Sequence, residues 1–199
     1  LSAERLASLG KLACERGRDT TDLFVNEMHE VMRDTFRNIV NDIVAPLAEK
    51  IHRHDLDIPD EIIEPLLDMG IFGLSIPERF GGLCSDEHED NTGMIVATEE
   101  LSRGSLGAAC SLITRPEIMA RAILSGGTEA QKESWLPRLA MGDPFCAVAV
   151  TEPNYGSDVA GMQFRANQVD GGWILNGIKS WCTFGGKAGV LLVLARTEP

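Results

Sequence analysis

Two short segments carry the residue types that could do chemistry. Thr151-Glu152-Pro153-Asn154-Tyr155-Gly156-Ser157-Asp158 follows a small-residue run at residues 145–150, and Gly177-Ile178-Lys179-Ser180-Trp181-Cys182-Thr183 lies further on. The first offers a hydroxyl, a tight turn and backbone amides. The second offers a flat indole and another hydroxyl. Ala147 and Ala149 keep one strand face low, so a flat ring can lie against backbone, and Thr151 places a hydroxyl at the strand end. Gly156-Ser157 lets amides approach a phosphate. Trp181 and Thr183, two residues apart, are predicted on one side of a strand, with the indole free to pack on a ring face. A flat, polar-edged, phosphate-bearing cofactor suits these groups, and flavin adenine dinucleotide (FAD) is the foremost candidate.

Other polar groups read as structural. Glu152 sits inside the first segment but is predicted as a turn or salt-bridge residue. His52, His54 and Asp55 have a spacing compatible with a metal, yet no further ligands gather nearby, so a solvated helix end and no metal site are expected. The acidic run at residues 86–90 reads as a solvated loop.

The elements that must position these residues divide at about residue 142. Before it the pattern is helical. Leu6, Leu9 and Ala13 form a short stripe, and Asp19, Thr20 and Thr21 offer N-caps for a long helix. Its apolar positions recur every three to four residues to Ile51, with Pro46 expected to kink it. Pro59-Asp60-Glu61 opens another helix, with Pro59 expected in its first turn, ending at Gly70. Residues 71–82 read as a loop broken by Pro77 and Gly81-Gly82. Helices are predicted at residues 90–103, 105–124 and 128–140, the last opening on a capping box, Thr128 with Gln131. After Gly142-Asp143-Pro144 the period becomes strand-like. Residues 162–169 alternate as a half-buried strand, Asp170-Gly171-Gly172 and Asn176-Gly177 signal hairpins, and residues 190–195 read as a central strand.

The chain has 199 residues, an apolar share of 44% and a net charge of −12, enough for a real core. That charge argues against non-specific nucleic-acid binding and against an anionic membrane surface. Five cysteines form no CxxC pair and read as reduced, mostly buried thiols. No apolar run is long enough to span a membrane. A chain opening on Leu1 and closing after a strand-like run reads as a fragment at both ends.

The ordered motifs resemble the acyl-CoA dehydrogenase family. They are Pro77-Glu78-Arg79-Phe80-Gly81-Gly82, Glu99-Glu100-Leu101-Ser102, Gly127-Thr128-Glu129-Ala130-Gln131-Lys132, Thr151-Glu152-Pro153 with Gly156-Ser157-Asp158, and Asn176-Gly177-Ile178-Lys179-Ser180-Trp181. The resemblance implies a multi-domain α and β fold. An extra N-terminal helical segment (residues 1–18) precedes an all-α domain (19–142). An antiparallel β-barrel domain (143–199) follows, truncated before a C-terminal helical bundle. It implies FAD as cofactor, with Ala149, Val150, Thr151, Trp181, Cys182 and Thr183 about the isoalloxazine. Gly156 and Ser157 would lie by the pyrophosphate, Ser157 also toward the CoA portion of the substrate. The implied reaction is α,β-dehydrogenation of an acyl-CoA thioester. A Glu carboxylate takes the α-proton while hydride leaves to the flavin, and an electron-transfer flavoprotein accepts the electrons. That Glu belongs to the family's C-terminal domain, so no catalytic residue is assigned. A homodimer or homotetramer, cytoplasmic or in the mitochondrial matrix, follows from the same resemblance.

The chain departs from the common pattern at Asn154-Tyr155 and at Cys182-Thr183-Phe184, and these, with the added N-terminal stretch, resemble the methylsuccinyl-CoA dehydrogenase subgroup. Arg115 puts a charge on the helix that borders the family's acyl pocket. It is a candidate for binding a distal carboxylate through its two-donor fork; the alternatives are solvent or Glu117. Tyr155 either gates the acyl pocket or packs. An acyl-CoA oxidase or flavin monooxygenase on the same scaffold, and a non-catalytic helical interaction protein, are the competing readings.

Overall fold

The computed structural model describes residues 2–16 and 25–198. Helix α1 (Ala3–Arg16) comes first. The expected N-caps at Asp19, Thr20 and Thr21 lie outside the described residues. Helix α2 (Glu27–Ile39) instead opens on Asn26. Its side chain accepts the His29 amide N–H at 2.9 Å, and His29 Nδ1 accepts the Asn26 amide N–H at 3.2 Å. This reciprocal pair satisfies donors that a helix start leaves free.

Pro46 lacks the N–H that a regular helix needs. The chain passes it by widening into a π-turn, Val40–Val44, before α3 (Ala45–Arg53) takes Pro46 into its first turn. Helix α4 (Asp60–Asp68) has Pro59 as its N-cap rather than in its first turn. Residues 71–82, expected as a loop, fold inward. Two 3-10 turns, Ile71–Gly73 and Glu78–Phe80, flank the buried Ile76, and Ile71 and Phe72 are buried with it. Gly82 lies so close to the Ile76 carbonyl that a Cβ there would overlap it.

Helix α5 (Asn91–Ser105) runs through a second π-turn, Leu106–Cys110, into α6 (Ser111–Gly126), and α7 (Glu129–Ala140) follows. The capping box of Thr128 with Gln131 is present as expected. The acidic run is more than a solvated loop. Asp90 accepts the Gly93 amide at 2.8 Å as cap of α5 and meets His29 Nε2 at 3.0 Å. Glu100 is only 2% exposed and receives Arg37 at 2.6 Å and Arg103 at 2.9 Å. Burial alone would raise its carboxyl, but the two guanidiniums outweigh that and hold it below the ordinary range.

Two apolar clusters hold the helices. One joins Phe36, Val40 and Val44 to Ile62, Leu66, Phe72, Leu101 and Leu112. The other packs Ile76, Met119, Leu136 and Leu139 against Cys146. Each large side chain buried there contributes about 1.5–3 kcal/mol.

The strands are β1 (Cys146–Ala149), β2 (Arg165–Val169), β3 (Gly172–Asn176) and β4 (Val190–Val193). β2 and β3 form an antiparallel hairpin with Val169 opposite Gly172, and Gly171 takes φ 84° in the turn, as Asp170-Gly171-Gly172 signalled. β1 and β4 pair in parallel, Cys146 opposite Val190. The expected antiparallel barrel is therefore not seen: the described strands make two separate two-stranded sheets. A parallel pair needs a long crossover, and residues 150–189 serve as one. Asn176-Gly177 makes no hairpin, because the next strand, β4, pairs with β1 and not with β3. β4 is not a central strand, since β1 is its one neighbour in the sheet and Leu191 is exposed. The expected alternation holds over residues 162–167, where Met162 and Phe164 are half-buried and Ala166 buried while Gln163, Arg165 and Asn167 are exposed, and it is lost at the exposed Gln168 and Val169.

Candidate functional site

β1 is buried along its whole length and delivers Ala149, Val150 and Thr151 to one place. The second segment is stitched to this exit. Ser180 donates its amide N–H to the Thr151 carbonyl at 2.9 Å, and Lys179 Nζ donates to the Val150 carbonyl at 2.8 Å. Lys179 also pairs with Glu152 at 2.9 Å and stands 5.2 Å from the Phe164 ring centre. Glu152 is 6% exposed and accepts the amides of Gln163 at 2.8 Å and Phe164 at 2.9 Å. Burial pushes its carboxyl up, while those amides and the ammonium bring it below the usual carboxylate range. Glu152 is thus a clamp on the chain, as its turn or salt-bridge reading anticipated.

Backbone bonds in both directions between Glu152 and Tyr155 close the first turn, which leaves Gly156 and Ser157 exposed. The Cβ position of Gly156 faces open space, so a ligand can come close to its backbone. The Tyr155 ring rests on Gly161, in the short 3-10 turn Val159–Gly161.

The strand expected through Trp181 and Thr183 is absent. Residues 181–188 instead form consecutive tight turns, with Thr183 N–H donating to the Trp181 carbonyl and Gly185 N–H to that of Cys182. Trp181 (φ 59°) and Phe184 (φ 65°) both adopt left-handed backbone, which costs about 1–3 kcal/mol for a non-glycine residue. For Phe184 the surroundings offset that cost. Its ring packs edge-on against Phe145 at 4.9 Å, and Phe145 packs on Phe72 at 5.5 Å. The turn is therefore anchored on the helical core while Trp181 stands 86% exposed. Lys187 adds a tie by donating to the Ile58 carbonyl at 2.9 Å. Residues 56–58 and 182–187 line a groove of about 390 Å³ between them.

Arg115 reaches this turn from α6. Its Nη2 donates to Thr183 Oγ1 at 3.0 Å. It takes neither alternative read from the sequence: Glu117 pairs with Arg121 at 3.0 Å, and the Arg115 Nε is buried without a partner. Ser180 Oγ, next to Trp181, is likewise buried and unpartnered. Cys182 is half-buried beside them, and Cys84, Cys110 and Cys146 are buried; all are free thiols, as is the exposed Cys14. Burial pushes the Cys146 thiol up to about 11 against a smaller opposite pull from Arg115, so it is inert at neutral pH. His52, His54 and Asp55 are exposed at the end of α3, and no cluster suited to a metal exists among the described residues.

The structure thus brings Ala149, Val150, Thr151, Trp181, Cys182, Thr183 and Arg115 to one locality, with Gly156 and Ser157 a short turn away. The residues fit a flat, phosphate-bearing cofactor: an exposed indole, hydroxyls, open backbone amides, and two buried polar atoms needing acceptors or donors. Lys179 and Ser180 were quoted from sequence only within the run ending at Trp181, and Phe184 only as a departure from the family pattern; none of the three was given a role in the site.

Known proteins are similar to this chain in sequence and fold. The model of the acyl-CoA dehydrogenase N-terminal domain matches residues 26–143, and that of the middle domain matches residues 147–199. A (2S)-methylsuccinyl-CoA dehydrogenase of Cereibacter sphaeroides is 45% identical over 87% of this chain and 31% of its own length. The butyryl-CoA dehydrogenase structure of Megasphaera elsdenii superposes with a TM-score of 0.79 at 32% identity, over 89% of this chain and 46% of that one. A glutaryl-CoA dehydrogenase of Mycobacterium smegmatis in complex with FADH2 superposes with a TM-score of 0.78 at 31% identity, over 90% of this chain and 45% of that one. The chain therefore spans less than half the length of these relatives. With two family models matched in order along nearly all of its described residues, the chain belongs to the acyl-CoA dehydrogenase family.

Proposed function

We propose that this chain is the FAD-cradling part of an acyl-CoA dehydrogenase whose substrate is a short branched dicarboxylic acyl-CoA such as methylsuccinyl-CoA. The observation that carries the reading is the stitching of the β1 exit to the Trp181–Thr183 turn, with Arg115 reaching that turn from α6. FAD, when bound, supplies the acceptor for the two electrons removed from the thioester. Val150 and Thr151 would hold one edge of the ring, Trp181 its face, and Thr183 with Cys182 the other edge. Gly156 and Ser157 would present amides to the pyrophosphate, with Ser157 and Tyr155 toward the acyl-CoA. No residue here is assigned as the base.

Arg115 supports the dicarboxylic substrate. A buried guanidinium N–H left without an acceptor costs about 1–3 kcal/mol, and a carboxylate would satisfy it. The 45% identity to a methylsuccinyl-CoA dehydrogenase points the same way. An electron-transfer flavoprotein as acceptor, a homodimer or homotetramer, and a cytoplasmic or mitochondrial-matrix location accompany this reading.

The test is anaerobic mixing of the full-length protein with methylsuccinyl-CoA and, separately, with butyryl-CoA, while following flavin absorbance. The dicarboxylic thioester is expected to bleach the flavin faster. Bleaching by neither thioester contradicts the proposal, and rapid peroxide formation on admitting oxygen would make the protein an oxidase.

A further inference from the structure

Arg115 donates Nη2–H to Thr183 Oγ1 at 3.0 Å across 68 residues of sequence. A hydroxyl carries one proton and can also accept. With a guanidinium donating into its oxygen, Thr183 must give its own proton elsewhere. No protein acceptor takes that proton among the described residues. Thr183 is fixed independently of Arg115, because Phe184 anchors the turn on Phe145 and Lys187 ties it to Ile58. Arg115 therefore does not hold the turn in place so much as set the direction and polarity of one hydroxyl in it.

We propose that Arg115 is a positioning residue for the cofactor, acting through Thr183: it turns the Thr183 O–H toward the bound ring edge and brings a positive charge beside that edge. This rests on the flavin reading above. It is separate from any substrate carboxylate, since it holds for the protein without substrate. Two-electron reduction adds negative charge to the ring system, which a nearby cation and an aligned donor favour.

The test is the flavin midpoint potential of the full-length holoprotein, measured by equilibrium reduction against a dye, with the FAD dissociation constant as a second readout. The variants are Arg115→Met, Thr183→Val, Thr183→Ser and the Arg115→Met/Thr183→Val pair. Arg115→Met and Thr183→Val are each expected to lower the potential. Each is also expected to weaken FAD binding about tenfold, the order of one charge-assisted hydrogen bond. The pair should shift both readouts by less than the sum, and Thr183→Ser should restore wild-type values. An Arg115→Met effect of equal size in both backgrounds, or none, overturns the proposal. Should Arg115→Met fail to fold, Thr183→Val decides: an unchanged potential overturns the proposal. A wild-type protein that binds no flavin overturns the cofactor reading instead, so the two failures are distinguishable.

Discussion

At the scale of single residues the site is held by charges that do not react. Glu152 carries a depressed carboxyl, so it stabilises the fold above the ordinary carboxylate value, about 4.3. That contribution fades as the pH falls through its lower folded value. Glu152→Gln should therefore lower the melting temperature at pH 7, and its gap to wild type should narrow below about pH 4. A gap independent of pH contradicts the clamp. Arg115→Ala should slow a dicarboxylic acyl-CoA more than butyryl-CoA, by about 2–5 kcal/mol of transition-state stabilisation. Equal losses contradict carboxylate binding. Part of this was visible in the sequence, because Thr151, Gly156, Trp181 and Thr183 are the residue types such chemistry needs. The partner of Arg115 was not: nothing local links α6 to a turn 68 residues on.

Among elements, the turn at residues 181–188 is the decisive one. Read from sequence as a strand, it is a series of tight turns whose left-handed Phe184 depends on ring packing. Phe184→Ala should destabilise the protein by about 3 kcal/mol and loosen FAD binding, because the turn carrying Thr183 loses its anchor on Phe145. Calorimetry with FAD titration checks this, and stability lost with unchanged FAD affinity contradicts the anchoring role. Gly82→Ala, which would overlap the Ile76 carbonyl, should cost about 1–3 kcal/mol of stability. Locally coded features were readable, such as the Thr128–Gln131 box and the Asp170-Gly171 hairpin. Features closed over distance were not. The parallel pairing of β1 with β4 and the inward folding of residues 71–82 depend on tertiary packing that no local pattern reports.

For the whole molecule, the helical part has a dense core, whereas the β2–β3 hairpin exposes Trp173, Ile174 and Leu175 on both faces. A two-stranded hairpin is marginal alone in water. Relatives of which this chain covers less than half offer further surface to cover it. Hydrogen exchange should be fast in this hairpin in the 199-residue chain and slow in the full-length assembled protein. Equal exchange in both would remove the hairpin from any such contact. The most direct measurement of the cradle itself is equilibrium titration of full-length apoprotein with FAD, wild type beside Trp181→Ala. Saturable binding of one FAD per chain, weakened about tenfold when the indole is removed, is the expected result. Absence of saturable binding, or identical binding without the indole, would contradict it.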